Sequence, residues 1–347
     1  MRYRDLSDRF KVSAVGLGCM DFSHAYGAAM DEVESVRLIR AAHDDFGYTL
    51  FDTAETYGTA ADPHANERLV GKALAPVRDD VTIVTKFGIH FDYENDKPPY
   101  PLHLDSSPET IRRSVEGSLE RLGTDHIDLY LQHRIDPTVE PEVVAETVGE
   151  LIGEGKVLRW GISEATDEYL RRANAVTPVG AIQNRYSMMA RWHEPLFATC
   201  EELDVGWMAF SPLANGLLTG GITKANNRFD GAAGDYRAGM PQFTDEALDK
   251  NQALIDLVAG YAKAHDATDA QISLAWMLCK KPYIVPIPGA RRMERIAQNA
   301  QASEVDLSTE EVAAIDRALD ELESTGALSA VFGGHAGATV DHSSEEK

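Results

Sequence analysis

The sequence predicts a single domain of the α/β class, a (β/α)8 barrel with an N-terminal β-hairpin and long loops at the C-terminal ends of its strands. Three observations carry this. Eight short apolar, β-branched runs alternate with longer stretches of helical period. No Gly-x-Gly-x-x-Gly follows the first run, so the mark of a doubly wound dinucleotide-binding sheet is missing. No Pro/Gly/Ser-rich linker and no fixed-period repeat divides the 347 residues.

In chain order, residues 6–16 alternate well enough for a small hairpin closing the bottom of the barrel. Strand runs follow at 47–53, 81–86, 127–133, 158–163, 180–187, 205–212 and 283–288, with a less apolar one at 304–307. Their near-continuous apolar character suits parallel strands buried on both faces. Helix signals lie between them. Ser107-Pro108-Glu109 offers an N-cap, a proline at the first helical position and acid in the first turn. Ile111, Val115, Leu119 and Leu122 then recur at helical spacing, and Gly123 ends the helix. Ser308-Thr309-Glu310-Glu311 reads as a capping box before Val312, Ile315 and Leu319. Two long connections, 90–106 and 213–250, leave the C-terminal ends of strands, where barrel active sites sit. The barrel is expected over residues 1–323, with 324–347 a polar, acidic, partly flexible tail.

Acidic side chains outnumber basic ones by 56 to 33, a formal net charge of −23 with the histidines neutral. Such a surface repels phosphate backbones and anionic lipid, which argues against nucleic-acid binding and membrane docking. A phosphorylated small molecule needs only a local positive patch. Cys19, Cys200 and Cys279 are too few and too widely spaced for a disulfide framework or a thiolate metal site. The histidines lack metal-ligand spacing, so no metal is expected. With no apolar leader and no bilayer-length apolar run, a cytoplasmic location is the expectation. Nothing in the sequence sets the oligomeric state.

Four polar residues stand at or just beyond the ends of the first three strand runs: Asp52, Tyr57, Lys86 and His133. A lysine ending a buried strand is costly unless paired, and Asp52 on the neighbouring run is the natural partner. A free tyrosine has a pKa near ~10 and is a poor proton switch at neutral pH. A nearby ammonium favours tyrosinate and eases proton release. A histidine alongside can hydrogen-bond a carbonyl and orient it. Alone, each residue has an ordinary reading as a cap, a turn packer, a snorkelling lysine or a core imidazole. Together they make a proton-delivery site for an oxygen that becomes an alcohol, with no nucleophile for acyl transfer.

On these residues the chain resembles the aldo-keto reductase superfamily, in its bacterial NADP-dependent type. The set Asp52, Tyr57, Lys86 and His133 matches that family's catalytic tetrad in type, order and strand context. The likeness spans roughly Phe10 to Leu322. It includes Gly16-Leu17-Gly18-Cys19-Met20, Gln132-His133, Trp160-Gly161-Ile162-Ser163, Ile182-Gln183-Asn184, Phe210-Ser211-Pro212-Leu213 and Ile287-Pro288-Gly289. The resemblance implies hydride transfer from NADPH to an aldehyde or ketone. Tyr57 would be the general acid, Lys86 held by Asp52 would lower its pKa, and His133 would orient the carbonyl.

The same matching implies the cofactor residues. Gly18, Cys19, Met20 and Asp52 would lie along the nicotinamide side. Ser163 and Gln183 would hold the carboxamide, and Phe210 would stack on the ring. Ser211, Pro212, Leu213, Gly216 and Leu218 would meet the pyrophosphate. Pro288, Gly289, Ala290 and Arg291 would begin the adenosine end, with Arg295 reading the 2′-phosphate and Gln298 and Asn299 meeting adenine. Glu164 stands where the family commonly has Asn, and Arg185 where an acid is frequent. Substrate would be met by Phe22, Tyr57 and His133. The wall would be mainly apolar, with Tyr26, Tyr93, Met188, Met189 and Trp192 joined by Arg134. An alternative on the same fold is a cofactor-bound redox-sensing regulatory subunit with slow turnover. A third is a phosphate-binding isomerase or an aldolase using Lys86 as a Schiff base.

Overall fold

The computed structural model describes residues 1–8, 10–97 and 100–331. Its strands are β1 (Tyr3–Asp5), β2 (Lys11–Ser13), β3 (Leu17–Gly18), β4 (Leu50–Asp52), β5 (Thr82–Phe87), β6 (Ile89–His90), β7 (His103–Leu104), β8 (Leu129–Gln132), β9 (Trp160–Ser163), β10 (Ala181–Arg185), β11 (Gly206–Phe210) and β12 (Ile284–Pro286). Eight of them form one parallel sheet in the order β3-β4-β5-β8-β9-β10-β11-β12. The two edges meet. Gly16 N donates to Pro286 O at 2.9 Å, and Gly18 bridges Gly289 in the parallel sense. The result is the expected (β/α)8 barrel.

Two boundaries differ from expectation. The hairpin lies three residues earlier than 6–16, pairing β1 with β2 from Tyr3–Ser13 to Asp5–Lys11. Residues 304–307 form no strand, since a 3-10 turn over Ala302–Glu304 carries the chain past the barrel. The eighth place is taken by β3, whose Gly16-Leu17-Gly18 lacks a readable strand pattern. Glycine is required there: a Cβ on Gly18 would meet Ile287 O at 2.8 Å.

The helices that matter for the site are α1 (Glu32–Phe46), α2 (Ala65–Leu74), α3 (Pro108–Leu122), α4 (Pro141–Gly153), α5 (Asp167–Val176), α6 (Phe197–Leu203), α7 (Asp245–Lys250), α8 (Gln252–Ala264), α9 (Asp269–Lys280), α10 (Met293–Gln301) and α11 (Thr309–Ser324). The end signals of α3 and α11 work as read. Ser107 accepts from Thr110 N, Gly123 takes φ 66°, and Ser308 and Glu311 form a reciprocal capping box. After α11 the backbone of Ser329 is tied to Asn251 Oδ1 at 2.9 Å. Residues 332–347 of the expected tail lie outside the described residues.

The barrel interior explains where the chemistry sits. Alternate residues of each strand point inward. At the bottom these are apolar: Leu50, Val84, Leu129, Leu131, Ala181, Met208 and Val285, plugged from below by Leu6, Phe10 and Val12 of the hairpin region. Two residues further up the same inward rows stand Asp52, Lys86, His133, Gln183 and Phe210. One more step up β10 is Arg185. The sequence thus switches from hydrocarbon to polar groups along the inward rows of β4, β5, β8 and β10 at the C-terminal end of the barrel, while β11 ends in the aromatic Phe210.

Candidate active site

Lys86 is fully buried, yet its Nζ has three oxygens around it. It donates to Asp52 Oδ2 at 2.8 Å, to Thr53 O at 2.7 Å and to Tyr57 Oη at 3.2 Å. The other oxygen of Asp52 accepts from Gln183 Nε2 at 2.7 Å. His133 crosses Tyr57 edge to face, with ring centroids 5.6 Å apart. All four residues read as the tetrad therefore meet, and Gln183 joins them.

Burial sets the electrostatics. It pushes the Asp52 carboxyl above the usual carboxylate range, against the opposing pull of Lys86. Burial also works to lower Lys86, but the charges and hydrogen bonds of Asp52 and Tyr57 outweigh it and hold the ammonium above its ordinary value. Tyr57 differs from the sequence expectation. Burial raises its phenol above 10, and the adjacent Lys86 only offsets part of that. His133 is held well below its ordinary value, first by burial and then by Lys86 and Arg134. Its Nδ1 is buried without a hydrogen-bond partner. A neutral imidazole with Tyr57 edge-on beside it is a donor–acceptor pair suited to a small polar atom.

The residues expected around a cofactor fall into three groups. Ser163 and Gln183 lie on adjacent strands, with Ser163 Oγ donating to Gln183 O at 2.9 Å. Beyond β11 the backbone turns left-handed at Ser211, Ala214, Asn215 and Gly216, with φ of 51°, 47°, 59° and 101°. Three non-glycine residues in that region store strain of about 1 kcal/mol each, as is common where backbone amides are shaped around a ligand. The N–H groups of Gly216 and Leu218 already donate to Leu213 O. At the β12 end, Pro288, Gly289 and Ala290 run beside β3, close to Gly18, Cys19 and Met20. Arg291 is turned into the loop before α1, donating to Tyr26 O at 2.8 Å and Ala28 O at 2.9 Å. Arg295, partly exposed on the first turn of α10, reaches Gln298 Oε1 at 2.8 Å, and Asn299 is buried beneath. Arg292 caps that helix without a side-chain hydrogen bond, so its first amides have no side-chain acceptor.

Several wall residues are placed differently from expectation. Phe22, Met188 and Met189 are buried in the main hydrophobic cluster and offer almost no open surface. Cys19 is fully buried, and burial raises its thiol well above the ordinary range, as fits a packing residue. Conversely, His24 joins the site. It stacks on Tyr57 at 5.9 Å and its Nδ1 meets Gly58 O at 2.5 Å. The 213–250 connection is a strap, latched to the loop before α1. Tyr26 and Tyr236 share a 3.0 Å hydroxyl contact, and Asn215 Nδ2 donates to both hydroxyls at 3.0 and 2.6 Å. Asp21 is a further group that sequence reasoning missed. Its carboxylate abuts Gly289, its Oδ1 is sealed off without a partner, and burial pushes its pKa up to about 7. None of these had a signal in one sequence, because each depends on two loops meeting. A concavity of about 610 Å3 between α2 and α3, lined by His64, Arg68, Lys72 and Arg121 among others, lies outside the barrel and away from this cluster.

Residues 14–320 match the model of the Aldo/keto reductase family. A protein of Glycine max described as probable aldo-keto reductase 1 is 37% identical over 312 residues, covering 89% of this chain and 86% of its own. The glycerol dehydrogenase of Gluconobacter oxydans superposes with a TM-score of 0.79 at 28% identity, over 90% of this chain and 92% of that one. A thermostable aldo-keto reductase solved with the inhibitor epalrestat gives 0.70 at 29%, over 92% and 100%.

Proposed function

Because the chain belongs to the aldo/keto reductase family, oxidoreductases of small-molecule carbonyls that use a nicotinamide cofactor, we propose that it moves hydride between NADPH and an aldehyde or ketone, reversibly. The observation that carries this is the buried Asp52–Lys86–Tyr57 chain with His133 edge-on to the phenol. When bound, the cofactor supplies the hydride and accepts it back in the reverse direction.

The chain's own residues manage the proton. Tyr57 donates its hydroxyl proton to the carbonyl oxygen as that oxygen gains negative charge. Lys86, 3.2 Å away, stabilises the tyrosinate left behind. Asp52 keeps the ammonium aimed by neutralising its far side. Neutral His133 positions the carbonyl beside Tyr57. Ser163 and Gln183 would hold the carboxamide, Phe210 would lie against the ring, and the left-handed backbone of 211–216 would face the pyrophosphate. Gly18, Cys19 and Met20, with 288–291, would form the opposite wall. Arg295 would read the 2′-phosphate, which is the reason for preferring NADPH over NADH. Phe22 acts on substrate only indirectly in this reading, as packing behind the loop.

The test is the absorbance at 340 nm of NADPH mixed with a panel of aldehydes and ketones. Oxidation of the cofactor supports an enzyme. Tight NADPH binding with no turnover of any carbonyl would favour the redox-sensing alternative. Carbon–carbon bond cleavage or condensation of a carbonyl compound that survives Tyr57→Phe, with no oxidation of NADPH, would favour Schiff-base chemistry at Lys86.

A further inference from the structure

Two arginines converge above the barrel mouth, and among the described residues no carboxylate hydrogen-bonds either guanidinium, although the charge of Glu164 reaches both. Arg185 is the next inward residue after Gln183 on β10. It is only 8% exposed. Its guanidinium carbon lies 4.9 Å from the centre of the Phe210 ring, and that of Arg134 lies 5.8 Å from the same centre. Arg134 Nη1 donates to two neutral oxygens, His133 O at 2.6 Å and Ser163 Oγ at 3.1 Å. The Arg185 guanidinium makes no hydrogen bond among the described residues, and neither arginine forms an ion pair there. The nearby carboxylate is Glu164. One of its oxygens is spent on Arg185 N at 2.9 Å and the other faces His193 Nε2 at 3.9 Å.

Buried like charges repel and lose hydration, and Glu164 offsets this only through space because it hydrogen-bonds neither guanidinium, so the forks of the pair remain open to an anion. Burial, with Arg134 adding to it, outweighs the opposing influence of Tyr236 and Glu164 and lowers the Arg185 pKa, yet a guanidinium stays charged at neutral pH. In a chain with a net charge of −23, no general excess of cation explains the pair. Arg134 sits beside the carbonyl-handling groups, since it follows His133 directly and its charge acts on Tyr57, and Arg185 lies against the same Phe210 ring as Arg134. Two planar forks in that position match a carboxylate or a phosphate.

We propose that Arg134 and Arg185 form an anion subsite, and that the substrate is a carbonyl compound bearing a carboxylate or phosphate group. This rests on the reading of the tetrad as a carbonyl-reducing site. It replaces the mainly apolar wall, whose Phe22, Met188 and Met189 are spent in the core.

The test compares 4-carboxybenzaldehyde with benzaldehyde in wild type, Arg185→Ala and Arg185→Lys, and follows benzoate and NADPH binding by calorimetry in the same proteins. Wild type should prefer the carboxylated aldehyde in kcat/KM. Arg185→Ala should shrink that preference by about 10- to 100-fold. Benzoate binding should weaken by a similar factor, and Arg185→Lys should recover part of both. A wild-type preference near one overturns the subsite. So does an Arg185→Ala change confined to NADPH affinity, which would assign the arginine to the cofactor's phosphates. Benzoate binding needs no turnover, so it stands apart from the reductase reading: failure of every aldehyde to oxidise NADPH counts against that reading alone.

Discussion

Removing the ammonium of Lys86 should disable proton delivery by an amount that the structure bounds. Lys86 Nζ lies 3.2 Å from Tyr57 Oη inside a dry site. At an effective dielectric constant of ~20, a unit charge at that distance is worth about 5 kcal/mol to the tyrosinate. Asp52 Oδ2 lies 2.8 Å beyond Nζ, hence within about 6 Å of the phenol, and opposes this by about 2–3 kcal/mol, which brings the net to roughly 2–3 kcal/mol. Lys86→Met, in which the unpaired buried Asp52 takes up a proton, should then lift the Tyr57 pKa by about 2 units, and it already stands above 10. The readout is the pH profile of alcohol oxidation, where Tyr57 must be ionised to accept a proton. The rate rises with pH through the Tyr57 pKa, so the variant's limb should move upward by that amount. The kcat near neutral pH should fall about 10^2-fold in consequence. Breaking the pair strands Asp52 and costs about 3–5 kcal/mol of stability. Asp52→Asn combined with Lys86→Met should recover most of that stability without recovering activity. An unshifted limb, or a kcat within tenfold of wild type, would refute the idea that Lys86 tunes Tyr57.

Four other outcomes are expected. Tyr57→Phe should lower kcat more than about 10^3-fold while NADPH binding by fluorescence changes less than threefold, since the hydroxyl acts in the transition state. Arg295→Ala should weaken NADPH by roughly 10- to 100-fold and NADH hardly at all, and an unchanged ratio removes Arg295 as the phosphate reader. Tyr236→Phe takes one hydroxyl from the strap latch, so the NADPH off-rate in stopped flow should rise several-fold; no change means that the latch does not gate release. Glu55 is buried near Glu67, and burial, aided by that like charge, pushes its pKa up from 4.5 to about 8. The folded state thus binds its proton more tightly than the unfolded chain, so this contribution is complete below pH 4.5 and is lost as pH rises to 8. Glu55→Gln should flatten the fall of Tm across that window, and equal slopes for the two proteins would contradict the assignment.

What was legible in the sequence is what depends on period and caps. The seven apolar strand runs from 47–53 to 283–288 each contain a barrel strand, because burial on both faces leaves little freedom in composition. β3 was hidden because closing the barrel at Gly18 demands the absence of a side chain, which no strand pattern signals. Residues 304–307 resemble a strand only because Glu304-Val305-Asp306-Leu307 alternates polar and apolar side chains, and a connection that buries Leu307 and part of Val305 alternates in the same way. The four tetrad residues were readable because strand ends put them at one mouth. His24, Asp21, Asn215 and Tyr236 were not. They meet through loops joined by contacts such as Tyr236 N to Ala25 O, 211 positions apart in sequence, and such pairings leave no local trace.

The hydrogen bond from Gln183 to Asp52 joins two parts of the site that sequence reasoning kept separate. Asp52 has two oxygens, one on Lys86 and one on Gln183 Nε2. The residue proposed to hold the carboxamide therefore also sets the angle of the carboxylate that holds the lysine. A buried carboxylate with only one donor would be free to rotate or take up a proton, and burial already raises the Asp52 pKa. Gln183 limits both, which keeps the negative charge behind Nζ and the positive charge toward Tyr57. The direction of that dipole matters more than either charge alone. If Asp52 lay as close to the phenol as Lys86 does, the two influences on Tyr57 would nearly cancel and the tyrosine would keep only the penalty of burial. Filling the carboxamide site would thus stiffen the same chain of hydrogen bonds that readies Tyr57 to give up its proton.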